Sequence, residues 1–252
     1  MLGQEVGYLV LDDELQRADP ARFARLLDQF AEGYRSNFSG DEAESTADWP
    51  ARIAGQPEPQ PLMRIAVAVD GSGRVIGGAA AEYYRAGGCM LGTYLYVRDE
   101  PGQRGRGHAR LLLATAQQAC GRLGPLAAVL AEVEWPDLLP REHFSSAEID
   151  GARSRLRFFE RLGARRIAID YVQPALGADR RPVPWLRLLL LPPAATQPAA
   201  RDESSLRAAI DRFLAEFHAA LAQSCRRSVD ALLLEQQRAR LAAARPLCVA
   251  LL

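Results

Sequence analysis

The chain has no lysine. Its 31 cationic side chains are all arginine, and 31 aspartates and glutamates balance them to a formal charge of zero. Zero net charge argues against a general polyanion binder, so no nucleic-acid partner is expected, although a local basic patch would escape that argument. The exclusive use of arginine reads as a genome-composition effect. Cysteine is sparse too: Cys89, Cys120, Cys225 and Cys248 stand far apart, without metal-ligand spacing. They read as small core residues in a reducing compartment. His108, His143 and His218 are equally scattered, so no metal site is expected. No apolar run reaches the ~18 residues of a membrane span. The opening "MLGQEVGYLVLDDE" lacks a basic region and a small-residue cleavage site. These absences make a cytoplasmic protein, with no membrane partner, the expectation.

What is present is ordinary for a globular chain: 48% hydrophobic and 25% charged residues over 252 positions. That length buries a real core, as one large domain or as a domain with an appendage. "EVGYLVLDD" reads as a first strand. Asp19-Pro20 supplies an N-cap followed by proline at the first helical position, and Phe23, Leu26, Leu27 and Phe30 then recur at helical spacing. Residues 39–61 are acidic, then rich in proline and glutamine, and read as a loop with a short helix at Trp49–Ile53. "LMRIAVAVD", "RVIGGAAAEYY" and "CMLGTYLYVR" are strand-like and joined by glycine-rich turns, which predicts an antiparallel meander. A helix to about Arg122, a strand "LAAVLAEVEW", an irregular stretch 136–144 and a helix ending at Gly163 follow. "ARRIAIDYVQ" and "VPWLRLLLL" are the last expected strands. Beyond Pro192-Pro193, Leu206, Ile210, Phe213, Phe217 and Leu221 form one apolar helical face, and a further helix is expected over 228–243. The stripe must bury against the sheet, against a second copy in a homodimer, or around a substrate pocket; the sequence leaves all three open. The reading is α/β, with residues 1–195 as the main domain and 196–252 as a helical C-terminal extension.

The densest motif is "GQRGRGHARLLLATA", residues 102–116, where glycines and arginines stand at the start of an apolar helix. Helix N-termini carry unpaired amides and partial positive charge, and glycine lets an anion approach them. There is no Gly-Lys-Ser/Thr ending, and the glycine spacing reverses the dinucleotide fingerprint, so both common nucleotide motifs fit poorly. Arg104-Gly105-Arg106-Gly107-His108-Ala109 does fit Q/R-x-x-G-x-G/A. In this motif the sequence resembles the GNAT superfamily of acyl-CoA-dependent N-acyltransferases. "TYLYV" before it, "AAVLAEVE" after the helix and "RLRFFERLGARRI" further on extend the resemblance over about residues 5 to 192.

The resemblance implies a GNAT-like mixed, mostly antiparallel central sheet of about seven strands flanked by helices. It implies acetyl-CoA as acyl donor, its pyrophosphate held by the backbone of Arg104, Gly105, Arg106, Gly107, His108 and Ala109. Tyr96 and Val97 are implied at the neighbouring strand end, with the Val97 N–H placed to stabilise the thioester oxygen. The tyrosine that often protonates the leaving thiolate in that family falls at Phe159, which cannot donate a proton. The loop is also longer, with seven positions from Val97 to Arg104 against a common five.

Acyl transfer requires a neutral amine, and an alkyl amine of pKa near 10.4 is only ~0.04% neutral at pH 7. A carboxylate base is therefore sought. Glu132 shares a strand face with Glu134 and Leu130, while Val129, Ala131 and Val133 read as core. Glu82, at the end of a strand, is the second candidate base. Tyr171, in "IDYVQP", is the candidate replacement for the missing proton donor. The expected function is an N-acetyltransferase acting on a small-molecule or peptide amine by direct attack. The alternative is a non-catalytic acyl-CoA-binding or scaffold protein, for which Phe159 is the support.

Overall fold

The computed structural model describes residues 5–38, 43–56, 61–99, 105–176, 180–194, 202–224 and 228–251. The architecture is α/β, with eight strands in a mostly antiparallel sheet. The chain divides into two compact units: Met1–Tyr83 with Gly92–Pro125, and Tyr84–Leu91 with Leu126–Leu252.

The first unit opens with β1 (Gly7–Leu11) and α1 (Asp13–Ala18), then α2 (Pro20–Asn37) and α3 (Trp49–Ile53). The meander β2 (Leu62–Val69), β3 (Val75–Tyr84) and β4 (Cys89–Val97) leads to α4 (His108–Gly121). α1 was not expected. Asp12 Oδ1 accepts the Leu15 N–H at 2.9 Å and nucleates it, a cap hidden at the end of a strand-like run. The Asp19 cap is present as anticipated, accepting the Arg22 N–H at 3.0 Å. β1 runs antiparallel to β2 with Gly7 opposite Val69, and β2 antiparallel to β3 with Leu62 opposite Tyr83. The apolar face of α2 supplies Phe23, Leu26, Leu27, Phe30 and Tyr34 to a core shared with Trp49, Ile53, Met63, Ile65, Tyr94 and Tyr96. Each large side chain fully buried there contributes about 1.5–3 kcal/mol.

The second unit holds β5 (Ala128–Glu134), α5 (Ser146–Arg161), β6 (Arg165–Ile167), β7 (Leu186–Leu191), α6 (Glu203–Ser224), α7 (Ala231–Ala243) and β8 (Cys248–Val249). Its strands lie in the order β5-β7-β6-β8, and the β5/β7, β6/β7 and β6/β8 pairs are all antiparallel. Ser145 and Glu148 form a complete capping box at the start of α5. Ile210, Phe213 and Phe217 of α6 are buried with Tyr84, Leu130, Leu188 and Leu247 in one core.

Three expectations change here. The ten-residue strand read at 164–173 is strand only over Arg165–Ile167, because the Ala168 N–H turns to the Leu247 carbonyl at 2.8 Å. The sheet gains an eighth strand from the C-terminal segment, where β8 pairs with β6. Leu130, read on the less buried face of β5, is fully buried.

Candidate active site

At the start of α4, Gly105 and Gly107 have φ of +77° and +79°, a region where other residues are strained by about 1–2 kcal/mol. Gly107 is the N-cap, and no side chain among the described residues caps the first turn. A Cβ at either glycine would meet no described atom within 4 Å. The glycines are therefore demanded by backbone conformation rather than by crowding from the described residues. Arg106 and Arg110 are exposed next to it. Arg104 lies outside the described residues.

His108, the first residue of α4, is buried, with Nδ1 2.6 Å from the Tyr8 hydroxyl. Burial first, and then the charge of Arg106, hold its pKa below the usual histidine value, so the imidazole stays neutral near pH 7. Ala109 behind it is half-buried. The side chain of Tyr96 is not available to a ligand: it packs against Phe30, and its hydroxyl donates to the Phe30 carbonyl at 3.0 Å. Burial pushes that hydroxyl well above the ordinary phenol range. Val97, the last residue of β4, is half-buried. A Cβ at Gly77 would stand 2.8 Å from the Tyr96 carbonyl oxygen and 3.1 Å from the Val97 Cα. The glycine in β3 thus permits a close backbone approach to the end of β4.

Glu82, at the end of β3, is 6% exposed and pairs with the Arg52 guanidinium. Arg52 also binds Glu44 at 2.9 Å, and Glu44 accepts from the Trp49 indole at 3.0 Å. One candidate base is thus an element of a buried ionic network.

Glu132 stands in the second unit, half-buried on β5. Its Oε1 accepts from the Tyr171 hydroxyl, and its Oε2 from the Gln173 side-chain amide at 2.7 Å. Tyr171 is 0% exposed. Burial, followed by the charge of Glu132 and the bond to it, raises its pKa well above the usual value. The structure therefore brings Glu132 and Tyr171 together and adds Gln173, which sequence reasoning missed. A signal was there: Gln173 follows Tyr171 by two positions, the same-face spacing of an extended chain. Glu134 is engaged elsewhere, in an ion pair with Arg155. Phe159 is 9% exposed and packs edge-on against Phe158. Among the described residues no histidine, cysteine and carboxylate group could hold a metal ion. The thiols of Cys89 and Cys120 are buried and pushed up to about 12, so neither is a nucleophile.

No family model matches this sequence, and no curated protein matches it. Solved structures do. A GNAT-family acetyltransferase described for Bacteroides thetaiotaomicron is 14% identical over 73% of this chain and 86% of its own, at a TM-score of 0.48. Diaminobutyrate acetyltransferase EctA from Paenibacillus lautus, solved with its substrate and coenzyme A, is 14% identical over 78% and 99%, at 0.43. NAA60 from Arabidopsis thaliana, solved with acetyl-CoA, is 12% identical over 74% and 97%, at 0.44. These are the proteins the chain is similar to. At such identities and scores the likeness transfers no residue role and no substrate.

Proposed function

We propose that the chain is an acyl-CoA-dependent N-acyltransferase that moves acetyl from acetyl-CoA to a primary amine by direct attack. The observation that carries this is the start of α4: a helix N-terminus behind two glycines of positive φ, with no cap and no crowding atom among the described residues and with arginine beside it. That is what a pyrophosphate requires, and the six residues there fit the acyl-CoA motif. In this reading the amides from Gly105 to Ala109 and the guanidinium of Arg106 hold the cofactor, and Arg104 adds charge. The Val97 N–H steadies the thioester oxygen as it gains charge.

Glu132 is the proposed base. It takes one proton from the attacking ammonium, the nitrogen adds to the thioester carbonyl, the C–S bond breaks to give coenzyme A thiolate, and the second proton, shed as the nitrogen becomes an amide, replaces the one delivered to the thiolate. The Tyr171 hydroxyl and the Gln173 side-chain amide orient the carboxylate. Tyr171, the proposed proton source for the thiolate, has no exposed surface, so its proton would pass by way of Glu132. Glu82 ranks behind Glu132 because Arg52 occupies it. A small-molecule or peptide amine is the proposed acceptor. The proposal includes a cytoplasmic location and residues 196–252 as an extension of a 1–195 acyltransferase domain. It includes no nucleic-acid partner, and no helix among the described residues is long and apolar enough to cross a membrane.

A second reading, a non-catalytic acyl-CoA-binding protein, is favoured by Phe159 at the position of the family's tyrosine. Calorimetry with acetyl-CoA, longer acyl-CoAs and free CoA, with ATP and NAD as controls, tests both readings at their root. Micromolar CoA binding that Gly107→Trp abolishes is the expected outcome. No CoA binding would end both. Binding with no turnover across an amine panel would leave the second.

A further inference from the structure

We propose that the α7–β8 end of the chain is a positioning device for Glu132, acting through Gln237 on the Val172 carbonyl and so on Tyr171 and Gln173. The inference rests on the reading of Glu132 as the base. Its starting point is the failure of residues 168–173 to continue β6. The backbone there is held largely from the C-terminal segment. The Ala168 N–H donates to the Leu247 carbonyl at 2.8 Å, and Arg240 donates to the Asp170 carbonyl at 3.2 Å and faces its carboxylate at 3.2 Å. The Gln237 side-chain amide donates to the Val172 carbonyl at 2.6 Å. From the other direction come the mutual Gln173–Val183 backbone bonds, at 3.0 and 2.9 Å, and a longer contact of 3.4 Å from Arg187 to the Tyr171 carbonyl.

Val172 is flanked by the two residues that cap Glu132, so the carbonyl Gln237 holds is the pivot between them. Packing alone does not call for glutamine at this place. Gln237 is 1% exposed, Leu241 is the other buried residue described for α7, and leucine would fill the same space without a polar burden. The Oε1 of Gln237 has no partner among the described residues, and neither does that of Gln173. Each buried glutamine uses its nitrogen and leaves its oxygen unpaired, at a cost in stability that an apolar residue would not incur. What each contributes is a directed bond, one to the carboxylate and one to the backbone that carries its donors. The bond described for Gln237 goes to the Val172 carbonyl and not to the Glu132 carboxylate or the Tyr171 hydroxyl, so it is a positioning residue.

The test is proton NMR of the full chain, with the Tyr171 hydroxyl proton identified by its loss in Tyr171→Phe and the Gln173 side-chain amide pair by its loss in Gln173→Leu. Gln237→Met keeps the length and apolar bulk of the side chain and removes the donor. Both signals are expected to shift or broaden through exchange in this variant, while the amide spectrum of β5 and β7 holds its wild-type positions. Signals unchanged in Gln237→Met would overturn the proposal. If Gln237→Met does not fold, Gln237→Asn, one methylene short of Val172, decides by the same criterion. The signals do not depend on cofactor, so the failure of this proposal and the failure of acetyl-CoA binding are read in separate experiments.

Discussion

Glu82 and Glu132 both sit near the ends of strands, and the protein surrounds them differently. Glu82 is nearly inaccessible and neutralised by Arg52, which in turn holds Glu44. Glu132 is half-buried and accepts from a phenol and a carboxamide. A buried carboxylate held by a guanidinium belongs to the framework. A half-buried carboxylate oriented by a phenol and a carboxamide fits the proposed role of base. The proposal thus gives Glu82 to folding and Glu132 to chemistry, and it can be broken from either side.

The largest effect should come from Arg52→Met. It strands Glu82 as an uncompensated buried charge, a change of about 3–5 kcal/mol, read as a lower midpoint in urea unfolding. Glu132→Gln should cost at least ~100-fold in turnover with any amine that proves an acceptor, the lower bound for loss of a general base, while its urea midpoint moves little. Equal loss of stability in the two variants would erase the distinction. Tyr171→Phe leaves one carboxylate oxygen without its donor and should cost about 1–3 kcal/mol.

The Tyr171 variant also carries a pH signature. The folded hydroxyl has its pKa raised above the ordinary 10.0 of the unfolded chain. Its contribution to stability is therefore complete below that pH and is lost as pH climbs past it. Unfolding measured from about pH 8 to about pH 11 should show a shallower alkaline decline for Tyr171→Phe than for wild type. The smallest effect is Gly107→Ala, about 1 kcal/mol from the positive φ alone. Thermal unfolding reads it, and no described atom lies close enough to clash with the added methyl group.

Much of the fold was legible where the signal is local. Asp19-Pro20, the Asp70–Gly73 turn and Gly163 each mark a boundary through the conformation of a few adjacent residues. The glycine loop was legible for the same reason, although its glycines answer to φ and not to crowding. What failed to show was held from a distance. Arg52 lies 30 positions from Glu82, so nothing in the spacing announces the pair. The run 164–173 has strand-forming residues throughout, yet its partner after Ile167 is Leu247 rather than a neighbouring strand. Tyr96 is implied by the motif at the strand end beside the cofactor, and only the packing of α2 shows that its side chain belongs to the core.

The bond between Gln237 and Val172 spans 65 positions of sequence. Chains leave the ribosome at roughly 5–20 residues per second, so Tyr171 is made several seconds before the residue that settles its backbone. During that interval Glu132 and its two donors already exist as a polymer but lack the brace described above. Completion of the proposed site thus waits on the synthesis of α7 and β8, timed by where they fall in the reading order.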